Sequence, residues 1–229
     1  QFRSSAASDV YKRQPHNPGG TIFSTDELED LAKLILKKNM YVLADEIHSD
    51  FILSSSDRHL HLAMLEGMAD RVITINSLSK TFNIAGLNCA FSIIPNQLMR
   101  KKFKNILKGH TPSPSIFGLI ATLACLKDGS EWKEDLIKYL NINKDFLLNQ
   151  FSSRKDIEII EPKGTYLLWF KVLNAKSEKL QEHFEKFGVG LSDGKDFGKP
   201  GWMRLNFGTN YELLKQAMPR IHKALDDLL

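Results

Sequence analysis

Residues 41–50 read YVLADEIHSD and residues 71–87 read RVITINSLSKTFNIAGL. In each, a short apolar run (Tyr41–Ala44; Val72, Ile73 and Ile75) breaks off into polar residues: Asp45-Glu46 in one, Ser77-Leu78-Ser79-Lys80 in the other. Runs of this kind mark strands buried on both faces of a parallel sheet. Open α/β sheets bind ligands beyond the carboxyl ends of such strands, so Asp45 and Lys80 stand where chemistry is expected. The interval between them has room for one crossover connection. Cys89 to Ile94 reads as a third strand.

Working outward, Ser24-Thr25-Asp26-Glu27 is a capping box, with Ser24 as N-cap and Glu27 three residues on. It opens a helix with Leu28, Leu31, Ala32, Ile35 and Leu36 on one face and Asn39 as a left-handed stop. Asn96 caps a second helix that Gly109 ends. A long helical stretch follows from Pro114 to about Ser152, broken near Gly129-Ser130. Beyond Ser153 the expected elements are strands at Ile157–Ile160, Thr165–Val172 and Trp202–Asn206, and helices at Glu178–Phe187 and Tyr211–Leu229. Pro219 should kink the last helix.

Strands alternating with helices argue for an α/β sheet first and a smaller α/β or α+β domain second. The expected organisation is a partial large domain over residues 15–130, a bridging helix over 131–152 and a small C-terminal domain over 153–229. Gln1 to Gln14 is polar and shows neither a helix nor a strand period. It reads as foreign to the fold or disordered, an expression or sequencing remnant.

Composition narrows the function classes. At 229 residues with 42% hydrophobic and 25% charged residues, the chain can bury a sizeable core and is neither disordered nor fibrous. The net charge of +4 is spread along the chain, and its densest run, Arg100, Lys101, Lys102 and Lys104, reads as a solvated helix face; nucleic acid is not expected as a partner. Cys89 and Cys125 lie in apolar stretches and read as buried, reduced thiols of an intracellular, cytoplasmic protein. No apolar run approaches the length of a membrane span, and no membrane partner is expected.

A metal cluster of Asp45, Glu46, His48 and Asp50 is disfavoured, because alternate strand residues point to opposite faces. His59-Leu60-His61 reads as a polar loop, so no metal site is expected. Lys80, Asp45 and Arg204 (in Met203-Arg204-Leu205-Asn206) are the groups that could carry chemistry. The competing readings are a surface lysine, a capping carboxylate and a structural salt bridge.

Taken in order, the segments Pro15-His16-Asn17-Pro18-Gly19-Gly20, Asp45 to Asp50, Ser79 to Leu87, Glu131-Trp132, Tyr139 to Asn143, Gly164 to Trp169 and Arg204-Leu205-Asn206 resemble fold-type I pyridoxal-phosphate enzymes, the class I/II aminotransferase superfamily. The resemblance is to the cystathionine β-lyase (carbon–sulfur β-lyase) branch and runs from Pro15 to the C-terminus. It implies part of the large domain of such an enzyme, a mostly parallel sheet with flanking helices, followed by a smaller C-terminal α/β domain. It also implies pyridoxal 5′-phosphate as cofactor, a small sulfur-containing amino acid as substrate and a homodimer.

By the same resemblance, Lys80 would form the internal Schiff base and later take the Cα proton. Asp45 would pair with the protonated pyridine nitrogen. Asn17 and His48 would sit at the cofactor's 3′-oxygen, and Ser77 and Ser79 at its phosphate. Arg204 would clamp the substrate α-carboxylate. Tyr166 and Trp169 are read as core.

Two departures favour β-elimination over transamination. Asn88 stands where many aminotransferases carry a phosphate-gripping arginine eight residues after the lysine, and His48 stands where they often carry tyrosine. The family's upstream phosphate loop and ring-stacking aromatic are not found before Pro15. The chain therefore looks N-terminally truncated, and weak or no activity alone is expected. The alternatives are a class I/II aminotransferase and a non-catalytic fragment.

Overall fold

The capping box does what its residue types dictate. Ser24 accepts from the Glu27 amide while the Glu27 carboxylate accepts from the Ser24 amide, and α1 (Thr25–Lys38) follows. Asn39 ends it in the left-handed conformation, φ 54°. The buried face, Leu28, Ala32 and Ile35, packs with Val42, Ala44, Leu62, Met68 and Val72 as one apolar cluster. A computed structural model describes residues 10–173, 175 and 179–228. Residues 1–9 and the first residue expected in the Glu178–Phe187 helix lie outside the described residues.

The chain divides into two compact units, and the division falls within one helix. The first takes residues up to Pro15, Ile22–Ile52 and Ser56–Glu134; the second takes His16–Thr21, Leu53–Ser55 and Asp135–Leu229.

The sheet of the first unit is built from β1 (Val10–Arg13), β2 (Val42–Asp45), β3 (Val72–Asn76) and β4 (Phe91–Ile93), in that order. β1, β2 and β3 run parallel, with Asp45 beside Ile75, and β4 closes the sheet antiparallel. The α/β expectation holds for this unit. One reading is corrected: residues 10–13 are not outside the fold but form the strand beside β2. Strand pairing uses backbone amides and carbonyls, which these polar residues supply as well as apolar ones, so no side-chain pattern announced it. The side chains fit poorly, for Lys12 and Gln14 are buried and, among the described residues, Lys12 Nζ and Gln14 Oε1 have no hydrogen-bond partner.

Helices α2 (Gln97–Leu107) and α3 (Ile116–Asp128) complete this unit, with side-chain caps from Asn96 and Ser115. α4 (Ser130–Phe151) starts directly after the expected break. Gly129 is required there, because a Cβ would meet the Phe82 ring at 2.5 Å. Cys89 and Cys125 are free as expected but half-buried rather than buried.

The second unit carries an antiparallel sheet of β5 (Ile157–Ile160), β6 (Leu167–Val172), β7 (Ser192–Asp193) and β8 (Trp202–Asn206), ordered β5-β6-β8-β7. Its helices are the rest of α4, α5 (Leu180–Lys186) and α6 (Tyr211–Asp227), which runs through Pro219. Asn143 is fully buried and ties α4 to the loop that follows β8 by donating to Phe207 O and Thr209 O at 2.8 and 2.9 Å. Among the described residues no helix is long and apolar enough to cross a membrane.

Candidate active site

Parallel pairing of β2 with β3 decides where the first group of candidates lies. Both strands end at the same edge of the sheet, with Asp45 the last residue of β2 and the Lys80 turn beginning just after Asn76. At that edge the Asp45 carboxylate accepts from Arg13 Nε at 2.8 Å, from Tyr11 Oη at 2.5 Å and from the Ile47 amide at 3.3 Å. Burial pushes this carboxyl up, but the hydrogen bonds from Tyr11, Arg13 and Ile47 outweigh it and hold the group below the usual carboxylate range. Asp45 is therefore an anion at neutral pH. His48 is buried on the turn after β2, with its ring 5.9 Å from that of Phe51.

Lys80 is exposed on a turn closed by two backbone bonds, Phe82 N to Leu78 O and Ile84 N to Ser79 O. Its neighbour Thr81 anchors the turn by donating to Asp50 at 2.9 Å, and Asp50 also pairs with Lys133 at 3.2 Å. Sequence reading missed this support, because Thr81, Asp50 and Lys133 meet only once β2, the turn and α4 are in place. Ser77 is buried and its hydroxyl is committed locally: it donates to Cys89 O at 2.6 Å and accepts from the Ser79 amide. Ser79 is less buried. Asn88 is left-handed, φ 49°, at the end of a short 3-10 turn, a conformation asparagine tolerates better than arginine.

The second unit brings its two candidates together. Arg204, in the middle of β8, donates through Nη1 to Asn17 Oδ1 at 2.9 Å and through Nη2 to Ser192 Oγ at 3.0 Å. Its guanidinium lies 4.6 Å from the Phe197 ring centre. Among the described residues no carboxylate pairs with it, so the competing salt-bridge reading finds no partner there. Burial lowers its pKa, partly offset by the nearby Tyr166 and Asp196, though arginine stays protonated throughout the accessible range. Tyr166, read as core, is half-buried, and its hydroxyl is close enough to feel the Arg204 charge. Trp169 is core as expected, stacked on Trp202.

Asn17 sits on the turn 16–20, which is locked to the loop before β6. Gly20 O accepts from the amides of Lys163 and Gly164, and Gly20 has φ 64°.

Sequence and structure comparisons place this arrangement among known proteins. The profile of the family described as aminotransferase class I and II matches residues 6–221. The chain belongs to that family. Cystathionine beta-lyase PatB of Bacillus subtilis is 33% identical over 92% of this chain and 56% of its own length. An aspartate aminotransferase of Thermotoga maritima is 28% identical over 95% and 56%. The solved structure of cystalysin from Treponema denticola, which contains a pyridoxal 5′-phosphate cofactor, superposes with a TM-score of 0.87 at 29% identity, covering 96% of this chain and 57% of that one. The chain thus spans little more than half the length of these class I and II relatives.

Proposed function

We propose that the chain carries the lysine-bearing part of a pyridoxal-phosphate-dependent carbon–sulfur β-lyase acting on cystathionine-like amino acids. The carrying observation is the shared edge of β2 and β3, which sets an ionised carboxylate and an exposed primary amine at the carboxyl ends of adjacent parallel strands.

The donor set suits the cofactor. Asp45 is ionised, and a protonated ring nitrogen would share the carboxylate that Arg13 and Tyr11 hold in this structure; Lys80 is accessible to an aldehyde. Ser79 offers the freer hydroxyl for a phosphate, whereas the Ser77 proton already serves Cys89 O. His48 and the Asn17 Nδ2 group are the candidates for the ring 3′-oxygen. When bound, pyridoxal 5′-phosphate supplies the electron sink that makes an amino acid's Cα–H bond acidic.

The chain's own residues then divide the work. The Lys80 amine takes the proton from Cα, and Asp45 holds the positive charge that keeps the sink effective. Arg204 grips the α-carboxylate in its fork, and Asn17 Oδ1 fixes the orientation of that fork. Loss of the β-thiolate leaves a product that hydrolyses to pyruvate and ammonia. We place the working enzyme in the cytoplasm as a homodimer.

Elimination is favoured over transamination by Asn88, whose left-handed backbone does not suit an arginine, and by 33% identity to the cystathionine beta-lyase. A second reading, an aminotransferase, draws on the 28% identity to aspartate aminotransferase. The test incubates the chain with pyridoxal phosphate and cystathionine, with and without a keto acid. Thiol and pyruvate released without a keto acid support the lyase. Amino exchange that requires the keto acid supports the second reading. Neither activity, together with no borohydride-stable label on Lys80, would make this a chain without catalysis of its own.

A further inference from the structure

Glu46, His59 and His61 form a cluster that none of the roles above uses. Glu46 directly follows β2, and the two histidines lie on the loop before the 3-10 turn Leu62–Met64, all in the first unit. Glu46 is fully buried. Its Oε2 contacts His61 Nδ1 and lies 3.3 Å from His59 Nε2, and one donor atom from each residue falls within 4.8 Å of the others.

The cluster is not a closed hydrogen-bond network. Glu46 Oε1 is buried with no hydrogen-bond partner among the described residues. The His59 side chain is only 5% exposed, and neither of its ring nitrogens makes a hydrogen bond to any described residue. Its Nε2 is near Glu46 Oε2 but out of hydrogen-bond alignment. Buried carboxylate oxygens and imidazole nitrogens are normally satisfied, so these orphans ask for a partner that accepts lone pairs.

We propose that Glu46, His59 and His61 bind a zinc-class divalent cation. Two imidazoles and one carboxylate are a borderline donor set that suits Zn2+, and three protein ligands leave a fourth position for water. Bonds of about 2.0–2.1 Å at tetrahedral angles set donor atoms roughly 3.3 Å apart, the separation found between Glu46 Oε2 and His59 Nε2, while the direct Glu46–His61 contact is closer and would open as the ion enters. Magnesium and calcium are disfavoured, since both prefer oxygen ligands. Beyond the cluster's own members, the charges that bear on it are Lys12 and Asp50, which oppose one another at His61. His61, with a side chain 46% exposed, gives the ion a way in. The bound ion would pin the histidine loop to the end of β2, one residue from Asp45. The inference does not depend on the reading of Lys80.

Cobalt is the probe. The whole chain, stripped with EDTA, is titrated with Co2+ and followed by the visible bands of tetrahedral cobalt, then back-titrated with Zn2+. One equivalent should produce the bands, zinc should abolish them, and zinc alone should raise the melting temperature. His61→Ala and His59→Ala should each weaken binding at least tenfold, while His110→Ala, at an exposed histidine elsewhere, should not. Far-UV circular dichroism and melting in EDTA establish that each variant is folded. If His59→Ala does not fold, the more exposed His61→Ala decides alone. No bands and no zinc-dependent melting shift would overturn the proposal, as would binding that survives His61→Ala.

Discussion

Arg204 is a part-buried guanidinium whose hydrogen bonds go to the neutral oxygens of Asn17 and Ser192. A planar fork with no carboxylate partner among the described residues suits the external carboxylate proposed for it. Lysine would keep the charge but lose the fork and the stacking on Phe197. Arg204→Lys should therefore raise the KM for an amino-acid substrate about 10- to 100-fold, in line with about 1.5–3 kcal/mol for a charged hydrogen bond. Asn17→Ala, which removes only the orienting contact, should cost about tenfold. Substrate titration checks both, and an unchanged KM for Arg204→Lys would remove the clamp from the reading. The types of these residues were legible in the sequence, but their meeting was not. Nothing in a linear pattern joins positions 17 and 204, nor Glu46 to His59 and His61, because each pairing exists only after strands have been laid side by side.

Lys12 tests the strand that polarity hid. Burial pushes its ammonium down from 10.5 to about 8, with Glu46 opposing the shift. Because the folded-state pKa is depressed, the penalty is full below about pH 8 and fades as pH rises towards 10.5, where the folded form has shed a proton that the unfolded form keeps. Stability should thus climb across that window by about 3 kcal/mol. Lys12→Val should melt higher at pH 7 and lose the climb. Identical urea midpoints for the two proteins at pH 7 would show that residues 10–13 are not held on the sheet in solution.

At the scale of elements, local chemistry was the readable part. The Ser24–Glu27 box, the Asn39 stop and the Asn96 cap all act within a few residues, and each forms as its side chains require. The break at Gly129 was readable as a position, but its cause lies in the Phe82 ring packed against it. β1 was unreadable because its pairing rests on the backbone.

The turn 16–20 shows both sides. Its Asn-Pro-Gly-Gly composition announces a turn, while the lock on residues 162–164 does not appear in the sequence. Gly20 has φ 64°, and a Cβ there would meet Pro162 at 2.7 Å and the Gly164 carbonyl at 2.9 Å. Gly20→Ala should cost about 2–3 kcal/mol through strain and displaced backbone. Asn17 would shift with the turn, so Arg204 would lose its support. Urea denaturation should show the loss, and a midpoint equal to the parent's would mean the turn has room that the geometry denies.

At the scale of the whole molecule, the outer face of α3 remains unexplained by either core. Ile116, Phe117, Leu119, Ile120, Leu123 and Leu126 are all at least half exposed, a one-sided apolar stripe along the helix. The sequence there reads as part of a long helical stretch, and only the structure shows which face is covered. Isolated exposed apolar residues are ordinary on protein surfaces, but a contiguous stripe of six is not. The chain should self-associate, its mass by light scattering rising with concentration. Full burial of one such side chain contributes about 1.5–3 kcal/mol. Phe117→Glu with Ile120→Lys should therefore weaken association by about 3–5 kcal/mol, or roughly 10²- to 10⁴-fold. Both side chains point outward, so the melting temperature of the double variant at low concentration should match the parent's. A parent chain that stays a monodisperse monomer at high concentration would show that water covers the stripe at tolerable cost. A double variant that melts early would show instead that the stripe packs against the chain itself.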